Sequence, residues 1–349
     1  MAKNTKTISL ALQGGGSHGA FTWGVLDALL EDGRLEIDGI SGTSAGAMNA
    51  VALGQGIAEG LAHKRDVREA ARKSLALFWG EIITLGAASS LQKSVMDVFL
   101  GGWSMAQANA LASQLSPYQS NPLDINPLRN LLERLFDFER IGKLAQPKIF
   151  ISATQVSTGK AEIFSGNRLS AASLMASACL PMLFQAVEVE GEHYWDGGYS
   201  GNPAIHPLIY RCHACDVVLV QINPLERNAL PSTSAEILDR INELTFNASL
   251  LAQMRAVDFV NRMLERKRLD NERYRPVLLH RIDGGEALEA YPASSKTSAN
   301  AQLIDGLHKL GRECAKRWLK KHFDYIGVKT TVDIARDYLD DMRMGSLGD

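Results

Sequence analysis

The sequence has little of what marks several large protein classes. Its 349 residues include four cysteines, which are too few for a disulfide-stapled secreted scaffold. No run of about 18 uncharged apolar residues occurs, so a transmembrane helix is not predicted. Lys and Arg number 37 and Asp and Glu 39, which gives a net charge of −2 and no positive field to attract nucleic acid.

Apolar material is sufficient for a large globular core. Hydrophobic residues make up 46 % and charged residues 22 % of the chain, and this length fits one elaborated domain or two smaller ones. The amino terminus runs into a strand pattern without the apolar segment of a secretory signal, which predicts a cytoplasmic protein. Any membrane contact is therefore expected to be local and peripheral.

Two strand–turn–helix units open the chain. Residues 7–13 predict a strand, and glycines separate it from a helix over residues 20–30. Residues 37–41 predict a second strand, which a tight turn joins to a helix beginning at residue 47. Because successive units of this kind place their strands side by side, they predict an α/β fold with a mainly parallel sheet.

Helical spacing replaces the strand signals between about residues 56 and 145, which predicts a helical insertion. Its apolar part, residues 76–105, contains four large aromatic side chains, Phe78, Trp79, Phe99 and Trp103. Two interpretations stay open for this part. It either lines an acyl-chain groove or forms a lid over one, or it is a helical layer packed on the sheet.

Strand signals return after the insertion and then give way to helices. Further strands are predicted over residues 148–154, 161–165, 187–195, 217–223 and 277–282. A long helix is predicted after residue 230, with an apolar stripe of Ile237, Ile241, Leu244, Ala248 and Leu251 that we expect to pack on another helix or a second subunit. We therefore predict a core of residues 1–230 and a mainly helical extension, residues 231–349, packed on it.

The glycine-rich loop Gly14–Gly19 ends one predicted strand and opens a helix. Its backbone N–H groups converge beside the positive end of that helix, which favours a bound anion. Read as G-x-G-x-x-G, it fits the dinucleotide fingerprint, with Glu36 or Asp38 near the place of a ribose-binding acid. Alternatively, the same amides form an oxyanion hole for acyl transfer.

The second turn, Gly42–Gly46, has the G-x-S-x-G sequence of a nucleophile elbow, with Ser44 at its centre. Such a turn needs glycines on either side of the serine, because side chains there would clash with the neighbouring strand or helix. The alternative to a nucleophile elbow is that Gly42–Gly46 is a helix cap rich in small residues, without a catalytic role. The position between strand and helix, soon after a glycine loop, favours a nucleophilic serine.

A nucleophilic serine needs a base, and Asp196 is the best-placed candidate. It stands in the sequence Tyr-Trp-Asp-Gly-Gly at the end of a predicted strand. The ordinary pKa of Asp is about 3.9, so burial and hydrogen bonding would have to tune it. A second Asp-Gly-Gly begins at Asp283, and we interpret that one as a strand-ending turn.

These motifs together resemble those of bacterial patatin-like phospholipases. The matching segments, spread over roughly residues 7–223, are Gly14–Gly19, Gly42–Gly46, 121–129, 176–184 and 196–203. The resemblance implies a three-layer α/β/α sandwich and a serine acyl hydrolase that needs no metal or organic cofactor. It also implies a Ser–Asp dyad in which Ser44 is the nucleophile and Asp196 its partner.

The resemblance further implies an oxyanion hole and a substrate class. The backbone amides that would form the hole are those of Gly14, Gly15, Gly16 and Ala45. Phospholipid, lysophospholipid or another acyl ester would be the substrate. One departure stands out, since the family loop usually carries Arg or Lys where this chain has His18, whose charge depends on pH.

Other residues with reactive side chains carry weaker signals. His18, His193 and His206 lie near the motifs, but we expect all three on loops or the surface, and His193 should face away from Asp196 on its strand. The segment Cys212–Cys215 has metal-like spacing, but no second cysteine pair completes four ligands. The sequence therefore predicts neither a metal site nor a catalytic triad.

The sequence as a whole predicts a lipid acyl hydrolase that works through an acyl-enzyme on Ser44. Two alternatives stay open, a nucleotide-binding protein with the Gly14–Gly19 loop as a phosphate cradle and a non-catalytic binding module with a hydrolase fold. The expected partners are an acyl-ester substrate and a peripheral membrane surface, without nucleic acid. The sequence leaves open whether the chain forms a homo-oligomer.

Overall fold

A mixed, mostly parallel β-sheet forms the centre of the molecule. The structure is a computed structural model that describes residues 5–99, 116–227, 230–270, 272–291, 295–296 and 298–339. The sheet in this part of the chain contains β1 (Lys6–Leu12), β2 (Leu35–Thr43), β3 (Lys148–Gln155), β4 (Ala161–Ser165), β5 (Val187–Val189), β6 (Glu192–Asp196), β7 (Asp216–Gln221) and β8 (Leu278–Asp283).

Hydrogen bonds connect the strands in the order β5-β6-β3-β2-β1-β7-β8, and β4 pairs with β3 off this path. The pairs β3–β2, β2–β1, β1–β7 and β7–β8 are parallel. The pairs that β3 makes with β4 and β6, and the β5–β6 hairpin, are antiparallel. The carboxyl ends of the parallel strands therefore share one edge of the sheet, where binding residues of such folds gather.

Helices cover both faces of the sheet. They are α1 (Gly19–Asp32), α2 (Ala45–Ala62), α3 (Val67–Phe99), α4 (Pro117–Ser120), α5 (Pro127–Leu135), α6 (Phe138–Gly142), α7 (Ala171–Ser177), α8 (His206–Arg211), α9 (Ser234–Glu265), α10 (Gly285–Glu289) and α11 (Ala301–His322). Among the described residues, no helix is both long enough and apolar enough to span a membrane.

Alternating side chains of β7 show the three layers. Val218 and Val220 belong to a hydrophobic cluster with residues of α1, α2 and α11, whereas Val217 and Leu219 belong to a second cluster with residues of α8 and α9. Successive strand residues point to opposite faces, so the sheet is buried on both sides. This confirms the predicted α/β/α sandwich around a mainly parallel sheet.

The predicted helical insertion is present between β2 and β3. Its described part consists of the end of α2 and of α3 to α6, with no strand among the described residues from 44 to 147. Phe78 and Trp79 are buried in the first cluster. Trp103 and the side chain of Phe99 lie outside the described residues.

Within this chain, the predicted apolar stripe of α9 is not the buried face of the helix. Ile237, Ile241 and Leu244 are exposed at 44, 52 and 53 %. The helix instead buries Leu250, Met254 and Val257, and in its first half two polar side chains, Glu243 and Asn247. Glu243 pairs with Arg227 and Arg240, and Asn247 donates to the Pro224 carbonyl, so polar partners decide which face of this half is buried.

The carboxy-terminal helix α11 packs closely on α1. A Cβ atom on Gly24 of α1 would lie 2.0 Å from the His308 carbonyl oxygen, and one on Gly311 would lie 2.0 Å from the Phe21 carbonyl oxygen. Both glycines therefore let the two helix backbones approach. The strand β8 extends the sheet beside β7, so the described part of residues 231–349 adds a strand as well as helices.

Candidate active site

The strand β3 brings Ser44 and Asp196 together. Ser152 of β3 pairs with Thr43 at the end of β2, and the next residue, Ala153, pairs with Asp196 at the end of β6. The strand β4 pairs with β3 on the opposite edge across both positions. The ends of β2 and β6 therefore meet on one edge of β3, and Ser44 follows directly after Thr43.

Ser44 occupies a strained backbone position between β2 and α2. Its φ of 53° lies in the left-handed region that residues other than glycine rarely adopt. The amide of Ser44 donates a 2.9 Å hydrogen bond to Ser177 Oγ, and the Ser177 hydroxyl donates in turn to the Ser152 carbonyl at 2.7 Å. Through these two hydrogen bonds, Ser177 of α7 holds the turn between β2 and α2 in place.

The glycines around Ser44 have the steric reason that the sequence predicts. A Cβ atom on Gly42 would lie 2.6 Å from backbone atoms of Gly46, and one on Gly46 would lie 2.2 Å from the Leu12 carbonyl oxygen. A Cβ atom on Gly14 would lie 2.8 Å from Ser44 Cβ. The first glycine loop therefore lies against the serine itself, at a distance that leaves no room for any other residue.

Asp196 is a buried carboxyl group with a shifted pKa. Its side chain is 2 % exposed, and its Oδ1 accepts a 2.7 Å hydrogen bond from the Gly198 amide. Burial raises the pKa of Asp196 to about 7, although hydrogen bonding to Gly198 and to the Ser44 hydroxyl acts in the opposite direction. A carboxyl group with a pKa near neutral pH is suited to taking up and returning a proton.

The glycine loop presents backbone amides beside Ser44, but they differ in availability. The Gly14 amide already donates a 2.7 Å hydrogen bond to Asn202 Oδ1. The amides of Gly15, Gly16 and Ala45 have no hydrogen-bond partner among the described residues. Of the four amides that the resemblance suggests, three are thus free to bind an anion in the structure as described.

Asn202 is a buried residue of the site whose position after Asp196 is part of the sequence resemblance. It is completely buried, and its amide nitrogen Nδ2 has no hydrogen-bond partner among the described residues. Its carbonyl oxygen accepts a 3.3 Å hydrogen bond from the Gln13 side chain. Asn202 therefore connects the segment after Asp196 to Gln13 and Gly14, at the start of the glycine loop.

A cavity of about 380 Å³ adjoins these groups. Besides Ser44, Asp196 and the glycine loop, its lining is mostly apolar, with Phe78, Trp79, Ile82, Leu128, Leu180, Leu183 and Phe184. Phe78 and Trp79 of the apolar insertion are therefore packed in the core and also line the cavity. The lining is suited to an acyl chain.

His193, His206 and the second Asp-Gly-Gly do not line the cavity that contains Ser44. His193 and His206 are exposed, as expected, and no histidine is among the described residues that line the cavity. Asp283 ends β8 at the far side of the sheet and forms a 2.6 Å ion pair with Arg281. The described residues contain no cluster of His, Cys, Asp and Glu that could hold a metal ion.

Neither acid of the dinucleotide interpretation reaches the glycine loop. Glu36 pairs with Thr7 at the amino end of β1, whereas the loop follows the carboxyl end, and its carboxylate binds Arg68 at 2.6 Å. Asp38 is buried and accepts a hydrogen bond from the Ala214 amide at 2.9 Å. Both carboxylates are engaged in contacts away from the glycine loop. Neither is therefore placed to bind the ribose of a dinucleotide held by that loop.

The prediction that His18 lies on a loop or the surface is wrong, because its side chain is buried at 2 % exposure. Burial and the nearby charge of Lys296 lower the pKa of its imidazole to about 4, so His18 is neutral at neutral pH. Its Nε2 lies 2.7 Å from Ser295 Oγ. The next residue, Lys296, lines the cavity, and sequence reasoning missed it because it is a single lysine outside any motif.

Comparison with known proteins identifies a family and solved structures with some similarity to this chain. The family model described as patatin-like phospholipase matches residues 10–209, a range that contains the Gly14–Gly19 loop, Ser44 and Asp196. A search of curated proteins finds no match to the chain. The solved structures include VipD from Legionella pneumophila, which is similar to this chain at 16 % identity and a TM-score of 0.40, over 98 % of this chain and 74 % of that one.

Proposed function

Because the chain belongs to the patatin-like phospholipase family, whose members are lipid acyl hydrolases, we propose that it cleaves carboxylic esters of lipids through an acyl-enzyme on Ser44. The observation that carries this proposal is the meeting of a strained serine and a buried carboxyl group at one edge of β3. A structural turn would need neither the strain nor the burial of Asp196.

In the first step, Asp196 takes the proton of the Ser44 hydroxyl while Ser44 Oγ attacks the ester carbonyl carbon. The raised pKa of Asp196 makes its carboxylate a stronger base than an ordinary aspartate, and no histidine is needed between the two groups. Collapse of the tetrahedral intermediate expels the alcohol, which takes the proton from Asp196. Water then attacks the acyl-enzyme with Asp196 again acting as base, and Ser44 regains its proton.

The oxyanion of each tetrahedral intermediate would lie between the glycine loop and the start of α2. The free amides of Gly15, Gly16 and Ala45 support this placement, and the amino-terminal end of α2 adds a favourable partial charge. Gly14 contributes differently, because its amide is bound to Asn202. We therefore propose that Gly14 positions the loop and that the other three amides hold the oxyanion.

The substrate we propose is phospholipid or lysophospholipid, with its acyl chain in the apolar cavity. Leu183 lines this cavity and is also 54 % exposed, and its neighbour Met182 is 76 % exposed, so apolar surface continues outward from the site. A lipid in a bilayer has to be reached at the interface. A peripheral membrane contact at this rim is accordingly part of the proposal.

A fluorophosphonate probe tests the activated serine. We expect one adduct per chain, located on the peptide that contains Ser44 and absent from Ser44→Ala. An adduct at a different serine would contradict the assignment. Folded protein that forms no adduct, hydrolyses no ester and binds nucleotide would instead support the phosphate-cradle alternative.

A further inference from the structure

Lys296 places a positive charge in the cavity that contains Ser44. Its Nζ donates a 2.8 Å hydrogen bond to Asn223 Oδ1, and Asn223 Nδ2 donates a 2.8 Å hydrogen bond to the Gly14 carbonyl. Its backbone also lies against the loop, because a Cβ atom on Gly16 would lie 2.2 Å from the Lys296 carbonyl oxygen. The Asn223 side chain therefore bridges the Lys296 ammonium group and the glycine loop.

The segment that carries Lys296 is attached to the same loop at a second point. The hydroxyl of Ser295 lies 2.7 Å from His18 Nε2, and His18 is 2 % exposed. This segment lies far beyond residues 10–209, which match the family model. The carboxy-terminal part of the chain thus completes the wall of the cavity with a cation.

The ammonium group has unused capacity to bind an anion. Among the described residues, Lys296 forms no ion pair with a carboxylate, and the side chain to which it donates, that of Asn223, is neutral. The buried carboxylate of Glu243, whose charge acts on Lys296, already binds Arg227 at 2.6 Å and Arg240 at 3.2 Å. Burial lowers the pKa of Lys296 while Glu243 and Asp239 oppose that shift, and a bound anion would favour the charged form further.

We propose that Lys296 forms an anion subsite that binds the phosphate of the substrate headgroup while the acyl chain lies among the apolar side chains of the cavity. This inference rests on the proposed function, and it makes Lys296 a specificity-determining residue. A charged hydrogen bond between ammonium and phosphate is the interaction that would distinguish a phospholipid from a neutral acylglycerol. The subsite therefore selects esters that carry phosphate.

A binding titration tests the subsite without catalysis. Glycerol 3-phosphate is titrated by ligand-observed NMR, with glycerol as the neutral match. We expect Lys296→Gln to weaken glycerol 3-phosphate binding about 10- to 100-fold, Lys296→Arg to retain most of it, and the exposed control Lys309→Gln to bind like the wild type. Absent binding to the wild type, or equal binding to Lys296→Gln, would overturn the proposal.

Hydrolysis tests the same residue on substrates that differ in the phosphate alone. The esters are 1-palmitoyl-glycerol 3-phosphate and 1-palmitoyl-glycerol, which share one acyl chain. We expect Lys296→Gln to lower the ratio of their kcat/KM values about 10- to 100-fold, mainly through KM for the phosphate ester. An equal loss on both esters would overturn a headgroup role. If the wild type hydrolyses neither ester, the proposed function fails, and the titration still decides the subsite.

Discussion

Ser44 and Asp196 meet where the ends of β2 and β6 adjoin on one edge of β3. The antiparallel hairpin β5–β6 makes this possible, because β6 approaches β3 from the direction opposite to β2. The two side chains are thereby placed by strand register, the most rigid part of the fold. The proposed dyad of Ser44 and Asp196 therefore takes its geometry from the ends of two strands.

We expect Asp196→Asn to lower kcat by at least about 10³-fold, because an amide cannot accept the serine proton. The matched control is Asp283→Asn, which changes the other Asp-Gly-Gly and should keep activity within about twofold of the wild type. Steady-state hydrolysis of a soluble nitrophenyl ester measures both. Comparable activity of the two variants would show that Asp196 is not the base.

Activity should depend on pH through Asp196. The base must be ionised, and its pKa is raised to about 7, so kcat/KM should fall about tenfold for each pH unit below 7. A profile that stays flat down to pH 5 would contradict a raised pKa.

The same group should affect stability with a defined sign. The folded state binds the Asp196 proton more tightly than the unfolded chain does, so this group lowers the free energy of unfolding as pH rises from about 4 to 7. Asp196→Asn removes the titration. The melting temperature of this variant should therefore increase relative to that of the wild type as pH rises through this range, and an unchanged difference would count against the account.

The elbow can be tested by adding one methyl group. Gly46→Ala would place a Cβ atom 2.2 Å from the Leu12 carbonyl oxygen, so we expect a loss of about 3 kcal/mol or more in the free energy of unfolding. The control is Gly80→Ala in α3, where a Cβ atom meets nothing within 4 Å and helix propensity should add up to about 1 kcal/mol. Thermal unfolding measures both, and similar melting temperatures would contradict the close packing.

Asn202 should act as a positioning residue. Asn202→Ala removes the acceptor of the Gly14 amide, so we expect kcat to fall about 10- to 100-fold with little change in KM. Asn261→Ala is the control, because Asn261 exchanges two hydrogen bonds with Val277 away from the site and should affect stability alone. Equal kcat values for the two variants would remove Asn202 from the mechanism.

Local sequence signals account for the parts of the site that depend on neighbours along the chain. The glycines around Ser44 and the strand before Asp196 follow from turn sterics and strand periodicity, and the structure places both as expected. The buried face of α9 was not predictable in this way. Apolar periodicity indicates Ile237 and Ile241, but the ion pairs of Glu243 bury the other face.

Contacts between distant segments account for the remaining differences. The Gly14 amide is an expected oxyanion donor by sequence, yet Asn202 binds it after the chain has folded back. Lys296 reaches the cavity because His18 and Asn223 hold its segment against the glycine loop. Neither contact leaves a periodicity or a motif in the sequence, since each joins single residues across long separations.

Direct trapping tests the proposed acyl-enzyme on Ser44. Wild-type protein is mixed with 1-palmitoyl-lysophosphatidylcholine, quenched in acid during turnover and digested, and the peptide that contains Ser44 is analysed by mass spectrometry. We expect a palmitoylated Ser44 that appears before steady state and is absent from Ser44→Ala. Hydrolysis by Ser44→Ala at the wild-type rate, or wild-type turnover without palmitoyl-Ser44, would contradict it.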